Sequence, residues 1–328
     1  MPSCRVFSGG TPMSILVTGG TGFIGQIVVK KLVDRGYETI VLSRRGATFP
    51  REMQEKIRIA WGDIREFSDV LRIVADLGVE KIIHVAYTLT AEGEANPISA
   101  VQTNVLGTCH LFEAARLQGI RRVVFCSSIA AFSPQERYGD RPLQDEEELM
   151  KPVSIYGATK VLNEFLSGRF EKRYGIEIPI LRIAAVYGRG REERGVTAWT
   201  SQMIAAAVQE KPVTIKIPSG QLACFIYVDD VAEQLVRLCL TEKLKGRSYN
   251  SGGFTSCPAE FRDIIKKYYP RADIRFDENS PPWPYPYKID GTRLAREIQW
   301  EIRNPDSGLL DQINEERAAL NLEPMKKA

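Results

Sequence analysis

A tyrosine and a lysine four positions apart are the residues in this chain whose types and spacing most directly suggest chemistry. Tyr156 and Lys160 fall in a predicted helix, where positions i and i+4 share one face. A phenol with its ordinary pKa of about 10 exchanges protons poorly at neutral pH. A neighbouring ammonium favours the phenolate, so the pair predicts a tyrosine of lowered pKa that exchanges a proton with an alcohol or a carbonyl.

Ser128 supplies a third polar group for such chemistry. It follows a predicted strand at residues 122–125, and its hydroxyl is suited to hold the substrate oxygen that gains or loses a proton. Ser127 beside it is either structural or a second donor. His84, in another predicted strand, is expected to be a buried, hydrogen-bonded core histidine rather than a base.

Three glycines near the start of the chain, Gly19, Gly22 and Gly25, have the spacing of a dinucleotide-binding turn. They lie between a predicted buried strand at residues 15–17 and a predicted amphipathic helix at residues 23–33. Glycine there permits a tight turn and a close approach of the backbone to a pyrophosphate. The start of the helix presents N–H groups and a positive dipole end to the phosphates. The stretch therefore predicts a dinucleotide site.

The residues after the second predicted strand bear on which dinucleotide binds. The acid that would hold the ribose 2′-hydroxyl of NAD is absent there, and Ser43, Arg44 and Arg45 take its place. A guanidinium suits a 2′-phosphate, which predicts NADP as the cofactor and NAD as a weaker ligand. The alternative is that both arginines are solvated loop charges. Asp63, after the third strand, either accepts from the adenine amino group or caps the helix near Glu66.

Strands and helices alternate through the first half of the chain without an internal repeat. Predicted strands at 39–42, 57–60, 81–86, 122–125 and 178–183 follow the first one, with helices between them that include 98–117 and 155–173. This pattern predicts an α/β fold, a doubly wound parallel Rossmann sheet with a small C-terminal substrate lobe. We expect a loose N-terminal extension at 1–12, an NAD(P)-binding Rossmann domain at 13–185, and mainly a substrate lobe at 186–328, with some segments returning to the sheet.

The composition excludes several function classes. The 328 residues carry a net charge of only +3, which gives no reason to expect a nucleic acid or a membrane surface as partner. No apolar stretch approaches the roughly 20 residues of a membrane span. Six cysteines without a C-x-x-C pair or a Cys/His cluster predict free thiols, a cytoplasmic location and no metal site. The acidic run at 145–148 is expected to be a solvated face.

Eight short motifs, in order along the chain, carry a resemblance to a known family. They are Thr18-Gly-Gly-Thr-Gly-Phe-Ile-Gly25, His84-Val-Ala86, Asn104-Val-Leu-Gly-Thr108, Ser127-Ser128, Tyr156-Gly-Ala-Thr-Lys160, Val186-Tyr-Gly188, Phe225-Ile-Tyr-Val-Asp-Asp230 and Tyr249-Asn-Ser-Gly-Gly253. With these motifs, residues 13–315 resemble the extended short-chain dehydrogenase/reductases, the family of nucleotide-sugar epimerases and dehydratases.

The resemblance implies roles for individual residues. Tyr156 would be the acid/base, Lys160 would contact the nicotinamide ribose, Ser128 would hold the substrate oxygen, and Asn104 would be a structural or relay residue. With the strand-end residues above, the predicted cofactor site comprises Gly19, Thr21, Gly22, Phe23, Ile24, Gly25, Ser43, Arg44, Arg45, Asp63, Ile64, Val85, Ala86, Tyr87, Asn104, Tyr156 and Lys160. The resemblance also implies a homodimer, in which helices near 98–118 and 155–173 pair into a four-helix bundle.

Departures from the family pattern narrow the chemistry. Ile129-Ala130 replaces the Asp-Glu pair of the family's dehydratases, which disfavours elimination. Ala223-Cys224 replaces an Arg-Asp pair whose arginine bears on the diphosphate in many nucleotide-sugar members. Arg189, Arg191 and Arg194 are either its substitutes or a solvated charged loop.

Three functions stay open on the sequence alone. The first is a nicotinamide-dependent dehydrogenase or reductase acting on a small hydroxy or carbonyl substrate. The segment Ser127-Ser-Ile-Ala-Ala-Phe132 and the proline-aromatic stretch at 279–287 resemble those of the family's threonine dehydrogenases, which take small substrates. The second is a sugar or nucleotide-sugar epimerase with a retained cofactor. The third is a non-catalytic cofactor sensor, which has no need of Ser128, Tyr156 and Lys160 together.

Overall fold

A computed structural model of the chain describes residues 12–47, 49, 51–145, 150–191 and 197–327. Residues 1–11 of the predicted N-terminal extension, residues 146–148 of the acidic run, and Arg194 lie outside the described residues.

Twelve strands are formed within the described ranges. They are β1 (Ser14–Thr18), β2 (Glu38–Ser43), β3 (Arg58–Trp61), β4 (Lys81–His84), β5 (Arg122–Ser128), β6 (Ile180–Ile183), β7 (Ala185–Tyr187), β8 (Val213–Ile215), β9 (Ala223–Tyr227), β10 (Ser248–Asn250), β11 (Phe254–Ser256) and β12 (Ile274–Phe276).

The helices alternate with these strands. They are α1 (Gly25–Asp34), α2 (Arg51–Gln54), α3 (Phe67–Asp76), α4 (Thr90–Ala95), α5 (Pro97–Ala100), α6 (Gly107–Leu117), α7 (Ile155–Tyr174), α8 (Ala198–Val208), α9 (Val228–Leu240), α10 (Pro258–Tyr268), α11 (Thr292–Ile298) and α12 (Pro305–Ala319). A π-helical segment, Val101–Leu106, joins α5 to α6, so that residues 97–117 form one helical run. Two short 3₁₀ turns cover Ile129–Ala131 and Gln135–Arg137.

Seven strands form the central sheet, in the order β10-β6-β5-β4-β1-β2-β3, and every neighbouring pair is parallel. Parallel strands are covered on both faces, so their sequences are nearly continuous apolar runs. Ile15, Leu16 and Val17 of β1 are accordingly fully buried. The predicted α/β class and doubly wound Rossmann sheet are confirmed.

Alternate residues of β1 pack into two separate cores. Ile15 and Val17 belong to a core with Val28 of α1 and Val231 of α9. Leu16 points the other way, into a core that contains side chains of α3, α6 and the partly buried Phe170 of α7. This alternation places α7, and with it Tyr156, on the opposite face of the sheet from α1.

The second half of the chain adds two small sheets and returns once to the main one. β9 lies between β7, to which it is parallel, and β11, to which it is antiparallel, while β8 pairs with β12. β10 pairs with β6 at the edge of the central sheet. The division into domains at residue 185 stays a prediction. None of the helices in the described ranges is long and apolar enough to cross a membrane.

A buried ion pair fixes α7 against the two strands behind the predicted site. Arg182 of β6 and Glu164 of α7 are 4% and 3% exposed, and Nη2 lies 2.9 Å from Oε2. Ser127, the residue before Ser128 at the end of β5, donates its hydroxyl to Glu164. Ser127 is therefore structural, which decides between the two alternatives for this residue.

The acidic run begins with a residue that is not solvated. Asp145 is buried, and its carboxylate accepts the backbone N–H of Asn250 in β10. Its carbonyl oxygen accepts from Arg182 Nη1 at 2.8 Å. The prediction of a solvated face is wrong at this position, because Asp145 joins the loop after β5 to the strands of the central sheet.

We predict that Glu164→Gln lowers the free energy of unfolding by about 3–5 kcal/mol, because it leaves the buried Arg182 guanidinium without its counter-charge. Urea unfolding followed by circular dichroism measures this. The matched control is Glu171→Gln on the same helix. Its partner Arg247 is partly exposed, and Arg247 Nε lies 3.6 Å from Glu171 Oε2. That change is expected to cost no more than about 1 kcal/mol. Equal, small losses in the two variants would contradict the structural role given to Glu164.

Candidate active site

The ends of four parallel strands bring the predicted site residues to one edge of the sheet. β1 leads into Gly19, β2 ends at Ser43, β4 leads into residues 85–87, and β5 ends at Ser128. All of these are carboxyl ends, the edge at which open α/β sheets bind their ligands.

Ser128 and Tyr156 meet because the first turn of α7 packs closely on the 3₁₀ turn after β5. Ser154 caps α7 by accepting the N–H of Gly157 at 3.1 Å. A Cβ on Gly157 would overlap the carbonyl oxygen of Ala130, so only glycine permits this approach. The Ser128 and Tyr156 side chains lie close enough for a hydrogen bond between them to lower the pKa of Tyr156, and Ser128 Oγ accepts the N–H of Ala130 at 3.1 Å.

The Tyr156 hydroxyl is a weaker acid in this structure than a free phenol. Burial raises the pKa of Tyr156 to about 12, and the hydrogen bond to Ser128 and the positive charge of Arg191 offset only part of that effect. The predicted lowering of this pKa is therefore wrong for the protein alone. Loss of hydration of the phenolate outweighs the favourable charges around it.

Lys160 is buried beside Tyr156, on the same face of α7. Its Nζ donates to the backbone carbonyl of Cys126, lies 3.0 Å from the centroid of the Tyr87 ring, and lies 5.3 Å from the centroid of the Tyr156 ring. Burial lowers the pKa of Lys160 to about 7, although the negative charges of ionised Cys126 and Glu164 would favour the ammonium. The lysine therefore titrates near neutral pH.

The sequence matches the profile of the NAD dependent epimerase/dehydratase family over residues 15–252. The chain belongs to this family. Membership confirms the predicted relation to the extended short-chain dehydrogenase/reductases. It also confirms the prediction that the protein is an NAD-dependent enzyme.

Three known proteins show how far the likeness extends. A protein named "Putative UDP-glucose 4-epimerase" from Methanocaldococcus jannaschii is 32% identical over 253 residues, which are 77% of this chain and 81% of that protein. The UDP-glucose 4-epimerase of Thermus thermophilus, solved with NAD, superposes with a TM-score of 0.81 at 26% identity, covering 94% of this chain and all of that one. The L-threonine dehydrogenase of Clostridium difficile superposes with a TM-score of 0.83 over 96% of this chain and all of that one, and at 24% identity it shows the fold alone.

The glycine turn after β1 fits the dinucleotide that this family uses. A Cβ on Gly19, which has a φ of +68°, would lie 2.6 Å from the backbone nitrogen of Ala86. A Cβ on Gly25 would overlap the carbonyl oxygen of Gly19. The backbone N–H groups of Phe23 and Ile24 donate to no residue that the structure describes, which leaves them for a pyrophosphate. Thr21 and Gly22 are exposed at the tip of this turn.

The residues that follow β2 and β3 differ in their burial and in their ion-pair partners. Ser43 is buried, whereas Arg44 and Arg45 are exposed after β2, and neither guanidinium is paired with a described residue. The Asp63 carboxylate pairs with Arg65 at 2.6 Å, and this hydrogen bond lowers the pKa of Asp63.

The alternative role of Asp63 as a helix cap is wrong. α3 begins after Glu66, and no side chain caps it with a hydrogen bond. Ile64, also predicted at the cofactor site, has a buried side chain against Gly107, and its carbonyl oxygen accepts from His110 Nδ1 at 3.0 Å. A contact of Ile64 with a cofactor would therefore have to use its backbone N–H.

Asn104 holds the loop that follows β4. Its Oδ1 accepts the N–H of Thr88 at 2.8 Å, and its Nδ2 donates to the carbonyl oxygen of Thr88 at 3.0 Å. These two hydrogen bonds to the backbone of Thr88 hold residues 85–87 beside the glycine turn. The Ala86 N–H also donates to Thr18 Oγ1 at 3.3 Å. In this structure Asn104 acts as a structural residue.

His84 is a buried, satisfied histidine, as the sequence predicted. Its Nδ1 lies 2.7 Å from Thr18 Oγ1, and its Nε2 lies 2.9 Å from Thr108 Oγ1. The Thr108 hydroxyl donates to the carbonyl oxygen of Asn104, so it accepts from Nε2–H, and Nδ1 accepts from Thr18. Burial, with a smaller effect from the charge of Lys160, lowers the pKa of His84 to about 3, so the ring is neutral near pH 7.

The candidate anion-binding arginines lie in different environments. The Arg191 guanidinium is 5.1 Å from the centroid of the Phe23 ring and close enough to Tyr156 to lower its pKa. Arg189 instead pairs with Glu316 at 3.2 Å. Ala223 and Cys224 are buried in β9.

Tyr285 is a site residue that sequence reasoning missed. It lies close enough to Tyr156 for its ionised form to raise the pKa of Tyr156. Gln135 Oε1 anchors the segment by accepting the N–H groups of Tyr287 and Lys288 at 3.1 and 3.0 Å. The resemblance to threonine dehydrogenases pointed to this segment, but the sequence could not place Tyr285 near Tyr156, because the residue that anchors the segment is 150 residues earlier in the chain.

Among the described residues, no group of three or more His, Cys, Asp or Glu side chains is placed to hold a metal ion. The cysteines that the structure describes, Cys109, Cys126, Cys224, Cys239 and Cys257, are free thiols.

We predict that His84 makes the protein less stable as the pH falls. The folded state binds this proton only near pH 3, whereas the unfolded state binds it near pH 6.5, so stability is lost as the pH falls between these values. The expected slope from this residue is about 1.4 kcal/mol per pH unit. Urea unfolding at pH 6.5, 6.0, 5.5 and 5.0, compared with His84→Gln, isolates it. Identical slopes in the two proteins would contradict a neutral, buried His84.

Proposed function

We propose that this protein is an NAD(P)-dependent oxidoreductase that transfers a hydride between nicotinamide and a small hydroxy or carbonyl substrate. One observation carries the proposal. The Tyr156 hydroxyl lies close enough to Ser128 for a hydrogen bond between the two side chains to lower the pKa of Tyr156, and the Lys160 Nζ is 5.3 Å from the centroid of the Tyr156 ring, at the sheet edge that also holds the glycine turn.

The three side chains have distinct tasks in this reaction. The nicotinamide ring of the bound cofactor supplies the hydride acceptor or donor. In the oxidation direction, Tyr156 takes the proton of the substrate hydroxyl as the C–H bond breaks and the C=O bond forms. Ser128 donates a hydrogen bond to the same oxygen and keeps it beside Tyr156. Lys160, as the ammonium, favours the phenolate form of Tyr156.

Two features support a small substrate without a nucleotide. The position at which many nucleotide-sugar enzymes carry a diphosphate-binding arginine is here the buried pair Ala223 and Cys224. The anchored segment around Tyr285 comes close enough to Tyr156 to act on its pKa, and the resemblance of this segment to that of the threonine dehydrogenases favours a small substrate. Arg191, on the glycine-turn side of Tyr156, would favour a substrate with a negative charge.

A sugar or nucleotide-sugar epimerase is the second candidate. It is favoured by the likeness to a protein named as a UDP-glucose 4-epimerase and by the 26% identical epimerase structure. Both candidates use the same three side chains. They differ in that an epimerase leaves no net change in the cofactor, whereas a dehydrogenase reduces or oxidises it stoichiometrically.

A screen of alcohols, hydroxy acids and carbonyl compounds with added NADP(H) and NAD(H), read by absorbance of the reduced nicotinamide, tests the proposal. We expect stoichiometric cofactor turnover with a small substrate. Interconversion of UDP-sugars without net cofactor turnover would establish the second candidate and refute the first.

We predict that Tyr156→Phe lowers kcat by about 10²–10⁴-fold, because it removes the transferable proton and keeps the ring. Cofactor affinity, measured by isothermal titration calorimetry, is expected to change little. The control is Tyr174→Phe, an exposed tyrosine of the same helix, with expected full activity. Full activity of Tyr156→Phe would refute the acid–base role.

We also propose NADP as the preferred cofactor, held at its 2′-phosphate by Arg44 or Arg45, with Ser43 as an additional donor. A charge-assisted hydrogen bond contributes roughly 1.5–3 kcal/mol. We therefore predict that Arg44→Ala/Arg45→Ala weakens NADP binding by about tenfold to a hundredfold and leaves NAD binding nearly unchanged. Titration calorimetry with both cofactors measures this.

The control for this variant removes the same charge from exposed positions outside the cofactor edge. Arg121 precedes β5 at the amino edge of the sheet, and Arg271 follows α10. Arg121→Ala/Arg271→Ala is expected to bind NADP as the wild type does. Tighter binding of NAD than of NADP by the wild type would overturn the assignment.

We further propose a homodimer formed by the helical run 97–117 and by α7 of each copy. Ile98 and Phe165 are 73% and 65% exposed, and Val101 and Leu162 extend the same apolar surface on these two elements. Exposed apolar side chains of this size stabilise a protein most when a partner covers them. Two helices from each of two copies can pack together as a four-helix bundle. A cytoplasmic location, which the cysteine pattern favours, likewise stays a prediction.

We predict that Phe165→Glu shifts the mass measured by light scattering at micromolar protein from a dimer to a monomer. A charge at this place would be buried without a partner in the bundle. Leu320→Glu, at an exposed leucine after α12, is the control and should leave the dimer intact. A monomeric wild type would refute the proposed dimer.

A further inference from the structure

An aromatic ring lies against the ammonium of Lys160. The Nζ atom is 3.0 Å from the centroid of the Tyr87 ring, which is closer than its distances of 5.1 Å to the Phe125 ring and 5.3 Å to the Tyr156 ring. Three rings therefore surround one buried cation, and Tyr87 makes the closest contact.

The other partners of this ammonium, within the described structure, are few. Nζ donates one hydrogen bond, to the carbonyl oxygen of Cys126. Glu164 is the carboxylate that acts on Lys160, but Arg182 and Ser127 already occupy its oxygens. A cation that is removed from water and has no carboxylate of its own gains most from the negative face of an aromatic ring.

The Tyr87 ring is held in place from three directions. Its hydroxyl accepts a hydrogen bond from Nδ2 of Asn163, which lies three residues after Lys160 on α7. The next residue of the loop, Thr88, is fixed by both polar atoms of the Asn104 side chain. The ring also meets Tyr156 edge-on, with centroids 6.0 Å apart and an interplanar angle of 86°.

We propose that Tyr87 is a positioning residue, whose ring face holds the Lys160 ammonium beside Tyr156 and keeps it charged. Tyr87 was predicted only as one of the residues around the cofactor, and this role concerns its side chain. The consequence for turnover rests on the proposed function, whereas the contact and its effect on the charge of Lys160 do not.

The groups around Lys160 that titrate or carry charge are Tyr87, Tyr156 and Glu164, with His84 on β4 and Cys126 on β5. Replacing the ring with an aliphatic side chain removes the group that stabilises the ammonium and leaves the other four in place. The charged form then becomes less favourable, so the lysine loses its proton at a lower pH.

Nuclear magnetic resonance of the enzyme labelled with ¹³C at lysine Cε tests the proposal directly, with the Lys160 signal assigned from Lys160→Arg. A methylene next to a ring face is shifted upfield, so we expect an upfield Lys160 signal that titrates near pH 7. In Tyr87→Leu the upfield shift should disappear, and the titration midpoint should fall by about one pH unit.

Two variants separate this role from simple packing. Tyr87→Phe keeps the ring and loses only the hydrogen bond from Asn163, so its signal and midpoint should match those of the wild type. Phe170→Leu removes a ring from the same helix away from Lys160, and it controls for a general loss of stability. A Tyr87→Leu protein that folds, with an unchanged Lys160 shift and midpoint, would refute the proposal.

Activity provides a separate measurement. With a substrate from the screen, the alkaline limb of kcat that reflects loss of the ammonium should move to lower pH in Tyr87→Leu and not in Tyr87→Phe. Failure to find any substrate would count against the proposed function and leave the resonance result to decide the role of Tyr87. A normal pH profile in Tyr87→Leu, with the resonance effect present, would refute the catalytic consequence alone.

Discussion

The constraint on which the rest of the site depends is the burial of an ammonium and a phenol side by side at the end of a parallel sheet. Burial disfavours the charged form of each group. It lowers the pKa of Lys160 to about 7 and raises the pKa of Tyr156 to about 12. A site of this kind costs stability. It is maintained because the surrounding sheet, helix and loop are fixed by their own contacts.

Those contacts come from all sides of the site. Behind it, the Glu164–Arg182 ion pair and Ser127 lock α7 to β5 and β6. Below it, the neutral His84 links the end of β1 to the helix that carries Asn104 and Thr108. At the dinucleotide edge, glycines allow backbone contacts that a Cβ would prevent. The fold thus supplies rigidity where the chemistry requires groups that are unfavourable in isolation.

Sequence patterns were sufficient for the parts of the structure that rest on local spacing. The central strands follow from apolar runs, and the turn at Gly19, Gly22 and Gly25 follows from the steric needs of a strand-to-helix turn. The common face of Tyr156 and Lys160 follows in the same way from helical geometry.

The electrostatics and the long-range contacts could not be predicted from those patterns. Spacing places a lysine near a tyrosine, but it does not report how completely both are buried, and burial reverses the expected direction of the Tyr156 shift. Asp145 was misjudged for the same reason, since an acidic run does not reveal that its first member meets the N–H of Asn250. Tyr285 approaches Tyr156 only through tertiary packing, with its segment anchored by Gln135.

The ionisation of Tyr156 is the quantity that tests this view of the site most directly. It can be measured as the difference in tyrosinate absorbance between the wild type and Tyr156→Phe during an alkaline titration, with and without saturating NADP⁺. Without cofactor, we predict a pKa of about 12. With the positive nicotinamide ring bound, we predict a pKa lower by about 1–3 units, because a nearby positive charge favours the phenolate. A value that stays at about 12 in the complex would contradict Tyr156 as the acid–base group.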